Sequence, residues 1–231
     1  MKGLFLVVLW TLLSSSSLLG VNAQPQSANY DLPKEWTTPL QEGDTIPDVT
    51  FQTRTRTAND GDFDWKTLTT SDYFDNKRVV LFALPGAFTP TCTTSHLPEY
   101  QQAYDEIRQL GIHDVYCLSV NDAFVMRQWG LSLDLPEDTT AGSLGFTKVK
   151  LIPDGTAAFT RGMGMSCHWN SERGFGERSW RYSAVIDNGK IEKLFIEQPR
   201  IQNSGPDPYE VSGPETMIDY LKSVKESKDE L

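Results

Sequence analysis

A nearly continuous apolar run over residues 78–84, Val79-Val80-Leu81-Phe82-Ala83-Leu84, constrains the fold more than any other stretch of the chain. A strand apolar on both faces must be covered on both, which places it at the centre of a sheet with layers above and below. Over 94–110, Leu97, Tyr100, Tyr104 and Ile107 recur at three- and four-residue spacing, the stripe of an amphipathic helix that Gly111 ends. The connection between the two elements carries Pro85-Gly86-Ala87-Phe88-Thr89-Pro90-Thr91-Cys92. These residues deliver a thiol to the first turn of a helix, where unpaired backbone N–H groups and the helix dipole favour negative charge. Such surroundings favour a reactive thiolate.

The same pattern repeats downstream. Residues 114–120 read as a strand and 122–129 as a helix, so strand, helix, strand, helix implies parallel pairing with a right-handed crossover. Earlier, 46–54 alternates as a strand, 59–62 is a turn, 63–67 a second short strand and 70–74 one helical turn. Later come a loop-rich stretch over 131–146, a short strand at 149–152, a turn at 153–155 and a short helix over 156–163. Residues 166–177 are polar with Gly174 and Gly176 and read as a loop. Asn188-Gly189 joins strands 181–187 and 190–197 in a hairpin, and 213–224 is a closing amphipathic helix. The expected class is α/β, a central mixed β-sheet flanked by helices.

The ends carry addresses rather than fold. Lys2, the apolar run 4–13 and a Ser-rich stretch ending Val21-Asn22-Ala23 have the form of a signal peptide cleaved after Ala23. That run is too short to span a bilayer well, and no membrane span is expected after processing. The chain ends Lys228-Asp229-Glu230-Leu231, the address read by the endoplasmic reticulum retention receptor. The two signals require each other, because only a translocated chain meets that receptor. The expected organisation is a signal peptide over 1–23, a flexible arm over 24–42, one domain over 43–224 and a tail over 225–231, in the reticulum lumen. No Asn-x-Ser/Thr sequon is present. A net charge of −10 argues against nucleic-acid partners.

The spacing Pro85-x-x-x-Thr89-x-x-Cys92 resembles the active-site signature of the peroxiredoxins, thiol peroxidases that reduce hydroperoxides. Its continuation through Ser95-His96-Leu97-Pro98-Glu99-Tyr100 is similar to the type II, peroxiredoxin-5-like subfamily. The resemblance runs over about 43–221. It implies a thioredoxin-like fold, Cys92 as the peroxidatic cysteine, and no metal or organic cofactor. It further implies that the Thr89 hydroxyl lies near the thiolate, that Pro85 shields the thiol from water, and that the amides of Thr91 and Cys92 complete an anion-stabilising pocket. Glu177-Arg178-Ser179-Trp180-Arg181-Tyr182-Ser183 looks like the family's arginine motif. Arg181 falls on the family position, its guanidinium assigned to thiolate and peroxide, and Arg178 lies three residues off it. Relatives commonly dimerise around this site, which makes Phe88, Phe124 and Trp169 candidates for an apolar rim of a homodimer.

Three cysteines are an odd count, suited to redox chemistry rather than to a disulfide framework. A sulfenic acid on Cys92 must meet a second thiol. Cys117 resembles the second cysteine of plant-like type II enzymes, although a cysteine within a central strand is usually inert. Cys167, in a polar segment before the arginine motif, is the other candidate resolving cysteine. Some relatives carry a late resolving cysteine after the second hairpin strand, whereas here 198–210 has Ser204 and none. The first expectation is therefore one-cysteine chemistry resolved by an external thiol: glutathione, a glutaredoxin- or thioredoxin-like protein, or a disulfide isomerase. His96 reads as a packing residue and His113 as solvated. His168 beside Cys167 supplies too few ligands for a metal site. A thiol–disulfide oxidoreductase would want Cys-x-x-Cys, which the chain lacks. The remaining alternatives are a peroxide-driven oxidant that passes oxidising equivalents into client disulfides, and a redox-sensing chaperone module on the same scaffold, the latter distinguished by whether catalytic amounts of protein consume peroxide.

Overall fold

The computed structural model describes residues 32–229. The signal peptide, its cleavage site, the first part of the arm and the last two residues of the tail lie outside them. In chain order the elements are α1 (Lys34–Thr37), β1 (Thr50–Arg56), β2 (Phe63–Thr69), α2 (Thr70–Phe74), β3 (Arg78–Leu84), a π-helical turn (Cys92–His96) and α3 (Leu97–Gln109). There follow β4 (Asp114–Ser119), α4 (Ala123–Ser132), β5 (Lys150–Pro153), α5 (Ala158–Gly162), β6 (Ser166–His168), a 3-10 turn (Ser171–Arg173), β7 (Glu177–Ser179), β8 (Tyr182–Asp187), β9 (Lys190–Ile196) and α6 (Pro214–Asp229).

The main sheet has five strands in the order β5-β4-β3-β8-β9. β3 is central, parallel to β4 and antiparallel to β8, and β9 returns antiparallel on β8. Its alternation sorts the core into two layers. Val80, Phe82 and Leu84 face Leu97, Tyr100 and Ile107 of α3, Met126 and Trp129 of α4, and Met217 and Leu221 of α6. Val79, Leu81 and Ala83 face the opposite layer, with Phe51 of β1, Tyr73 and Phe74 of α2, and Phe159 of α5. Every residue from Val79 to Leu84 is fully buried, as a two-sided apolar strand requires.

Several details depart from the sequence expectations. The expected strand over 46–54 starts only at Thr50, because the main chain before it pairs elsewhere: Ile46 N–H donates to Gly189 O at 3.0 Å. The helix expected over 94–110 begins with the π turn, in which Leu97 N–H donates to Cys92 O. Pro98 has no N–H to give Thr94 and crowds its carbonyl, so the turn widens there. The segment 166–177 is not all loop. β6 and β7 form a two-stranded antiparallel sheet with Ser166 opposite Ser179. Its few apolar residues, Cys167, Trp169 and Phe175, pack around Trp180, so a mostly polar composition concealed the strands.

Finally, α6 continues past residue 224 to Asp229. At the other end, the part of the expected arm within the described residues is packed. Leu40 N–H donates to Met163 O at 3.1 Å, and the Arg161 guanidinium lies 4.1 Å from the Trp36 ring centroid. Gly164, at φ +67°, lets Thr38 approach so closely that a Cβ would sit 1.7 Å from Thr38 O.

Candidate active site

The loop after β3 ends one layer of the core and begins a helix. Pro85 is buried. Ala87 N–H donates to Asn121 Oδ1 at 3.0 Å, and Asn121 Oδ1 also accepts from Ser119 Oγ at 2.7 Å. The C-terminal end of β4 thus fixes the loop from the neighbouring strand. The Thr89 hydroxyl donates to Gly86 O at 2.7 Å, and Thr93 N–H donates to Thr89 O at 3.0 Å. Pro90 opens the helix, where a missing N–H is no loss. The amides of Thr91 and Cys92 therefore precede the first main-chain bond of the helix. Cys92 has no solvent-accessible surface.

Arg181 lies in the break between β7 and β8, so the strand expected from 181 begins one residue later. Its side chain is fully buried. Nη1 donates to His96 Nδ1 at 3.0 Å, and Nη2 donates to Asp207 Oδ1. Burial works against its charge, but Cys92 and Asp207 outweigh burial and hold Arg181 above its ordinary value. Arg178 reaches the same locality. Its Nη1 lies 3.3 Å from where a Cβ on Gly86 would stand, and it is held below its ordinary value by burial, with Cys92 opposing. Two arginines, not one, interact electrostatically with the thiol.

His96 does more than pack. A guanidinium only donates, so Nδ1 must accept, which leaves the proton on Nε2 to be donated to Ser212 O at 3.2 Å. Burial, then Arg181, hold this imidazole well below its ordinary value of 6.5. An unfolded chain takes up a proton on His96 near that pH, whereas the native chain does not. Its contribution to stability is therefore complete above pH 6.5 and lost as pH falls, at about 1.4 kcal/mol per pH unit. Burial holds His168 low as well and adds to the slope. Urea titrations of wild type against His96→Gln isolate the His96 part. Glutamine can both accept from Arg181 and donate to Ser212 O, so its stability should fall less steeply below pH 6.5. Equal slopes would show that His96 is protonated in the native state.

Two of the three cysteines share a packing layer and the third lies in a separate cluster. Cys117 lies on β4 opposite Phe82, in the same core layer as Cys92. Burial, then the neighbouring Cys92, push its thiol well above the ordinary value, with Arg181 opposing. Cys167 lies on β6 in the separate cluster of Trp169 and Trp180. Its thiol donates to Ile201 O at 3.3 Å, and burial pushes it up to about 12. All three are free thiols. Of the rim candidates, Phe88 and Phe124 are half exposed, and Phe124 stacks edge-on with exposed Trp65 at 5.3 Å. Trp169 is not at a rim; it is buried against Trp180 with ring centroids 5.1 Å apart.

Asn121, Glu197, Asp207 and Ser212 were not singled out by sequence reasoning. They reach the site from other elements, and Arg178 was noted there only as lying three residues off the family arginine position.

A helix-opening thiol under a buried arginine, beside a parallel strand pair, defines a thioredoxin-like thiol enzyme. The Redoxin family model matches residues 41–208. A peroxiredoxin of Synechocystis sp. is 48% identical over 183 residues, spanning 78% of this chain and 90% of that one. Among solved structures, the Plasmodium falciparum antioxidant protein, a 1-Cys peroxiredoxin, superposes with a TM-score of 0.69 at 32% identity, covering 79% of this chain and 99% of that one. Reduced Prx3 from Vibrio vulnificus in complex with hydrogen peroxide gives 0.64 at 32% identity, covering 79% and 96%. The chain belongs to the peroxiredoxins, thiol-dependent peroxidases with a thioredoxin-like fold that act on a peroxide and a thiol reductant.

Proposed function

We propose that this is a type II, peroxiredoxin-5-like enzyme of the reticulum lumen that reduces hydrogen peroxide and alkyl hydroperoxides through Cys92. The observation that carries the reading is the pairing of Cys92, at a helix start, with the buried guanidinium of Arg181. The Cys92 thiolate attacks one peroxide oxygen. An S–O bond forms, the O–O bond breaks, and the leaving hydroxide or alkoxide takes a proton. Arg181 and the amides of Thr91 and Cys92 stabilise the charge that develops. Thr89, fixed to Gly86 O, orients the loop, and Pro85 keeps water from the thiol.

The sulfenic acid then condenses with a thiol, releasing water, and a second thiol reduces the disulfide. Cys117 and Cys167 are both buried with raised thiols, which supports resolution by an external thiol such as glutathione or a disulfide isomerase. The leader over 1–23 and the Lys228-Asp229-Glu230-Leu231 tail support the lumenal assignment through the retention receptor. The exposed rings of Phe88 and Phe124 support a homodimer.

The test is stoichiometric. Reduced wild type, Cys117→Ser and Cys167→Ser each receive one equivalent of hydrogen peroxide, followed by intact mass. The expected product in all three is a one-oxygen gain at Cys92 that excess glutathione removes. A two-hydrogen loss in wild type that vanishes in one variant names that cysteine as resolving and overturns the external-thiol route. No change at Cys92 would sink the peroxidase assignment to this residue.

A further inference from the structure

The orientation of the Arg181 guanidinium is set by groups from two other elements. Nη1 is held by His96 on the Cys92 helix, and Nη2 by Asp207 in the connection between β9 and α6. The remaining nitrogen, Nε, is buried without a hydrogen-bond partner. Asp207 itself is well placed to act as a fixed anchor. It lies between Pro206 and Pro208, which restrict its backbone. Two residues on, Tyr209 donates its hydroxyl to Glu99 Oε2 at 2.6 Å and lies with its ring 5.6 Å from the Arg181 guanidinium and 4.8 Å from the His96 ring. The same connection is fastened to the sheet at 210–212 by Glu197.

Resting on the peroxidase reading above, we infer that Asp207 is a positioning residue for the peroxide reaction: by taking Nη2 it fixes the plane of the guanidinium that faces Cys92. A planar fork pinned at two nitrogens by acceptors on separate elements has one orientation. Removing the carboxylate leaves the guanidinium free to turn about its bond to His96. The charge stays near Cys92, but its donors no longer point at the reacting oxygens.

The experiment is a double-mutant cycle read as the second-order rate of hydrogen peroxide reduction, with Asp207→Ala, Arg181→Ala and the double variant. A residue acting only through another loses its effect when that other is gone. Asp207→Ala should slow the reaction by about tenfold, and by less than about twofold in the Arg181→Ala background. Asp207→Asn keeps an acceptor oxygen and should recover most of the rate. A rate for Asp207→Ala within twofold of wild type overturns the inference, and so does an equal loss in both backgrounds, which is the mark of a merely structural role. Arg181→Ala at the wild-type rate would instead remove Arg181 from the reaction and the inference with it. An inactive Cys92→Ser alongside a normal Asp207→Ala would leave the peroxidase reading standing alone.

Discussion

Cys92→Ser should consume no peroxide above the buffer blank, while Arg181→Ala should keep the thiol and lose about 10²–10³-fold in rate. The two losses differ in kind. Serine presents a hydroxyl that stays protonated and is a weak nucleophile without a partner base. Nothing in the site offers one, because His96 Nδ1 is committed to Arg181 and Nε2 carries the proton. Arginine instead stabilises charge on oxygen as the O–O bond breaks, which is worth several kcal/mol only in the transition state. Lysine at 181 should rescue little. A single ammonium cannot bridge His96 and Asp207, which Arg181 holds with two separate nitrogens. Stopped-flow peroxide consumption decides both points. Retention of more than about a tenth of the rate in Arg181→Ala would assign the charge stabilisation elsewhere, with Arg178 the next cation to test.

Glu197→Ala should destabilise the fold by about 3 kcal/mol or more, since each orphaned buried donor costs about 1–3 kcal/mol. One carboxylate oxygen, Oε1, accepts from the amides of Glu210 and Val211 at 2.9 Å and of Ser212 at 2.8 Å, and from the Ser212 hydroxyl at 2.7 Å. Glu197 is 1% exposed, so water is poorly placed to replace it. The effect should reach the active site, because Ser212 O accepts from both His96 Nε2 and Tyr100 Oη. Glu197→Gln keeps one carbonyl acceptor and should lose only about 1 kcal/mol, the difference between a charged and a neutral acceptor. Urea unfolding at unchanged m-value measures it. A Glu197→Ala midpoint equal to wild type would mean that the three amides find other partners.

How much of this was legible beforehand follows from distance along the chain. β3 was visible because six consecutive apolar residues admit little else than a doubly covered strand. The start of the helix was visible through Thr89 and Pro90, and the position of Cys92 followed from both. The hairpin β8–β9 was visible through Asn188-Gly189. Each rests on neighbours within a few residues. The β6–β7 sheet was missed because its mostly polar composition masked two buried aromatics. Trp169 was misplaced for the same reason, since an aromatic in a polar segment reads as exposed until its partner Trp180 is seen.

By itself the sequence determined the central strand, the thiol at the head of a helix and the arginine motif that accompanies it. These are local, because backbone propensity and side-chain periodicity act over a turn or a strand. Only the tertiary structure decided what the arginine does next. Asp207 lies 26 residues from Arg181 and His96 lies 85 away, with Ser212 116 residues beyond His96. Neither spacing nor composition records such pairs. They exist because the sheet order β4-β3-β8-β9 brings those segments to one end, where a buried charge must find partners or not be buried at all.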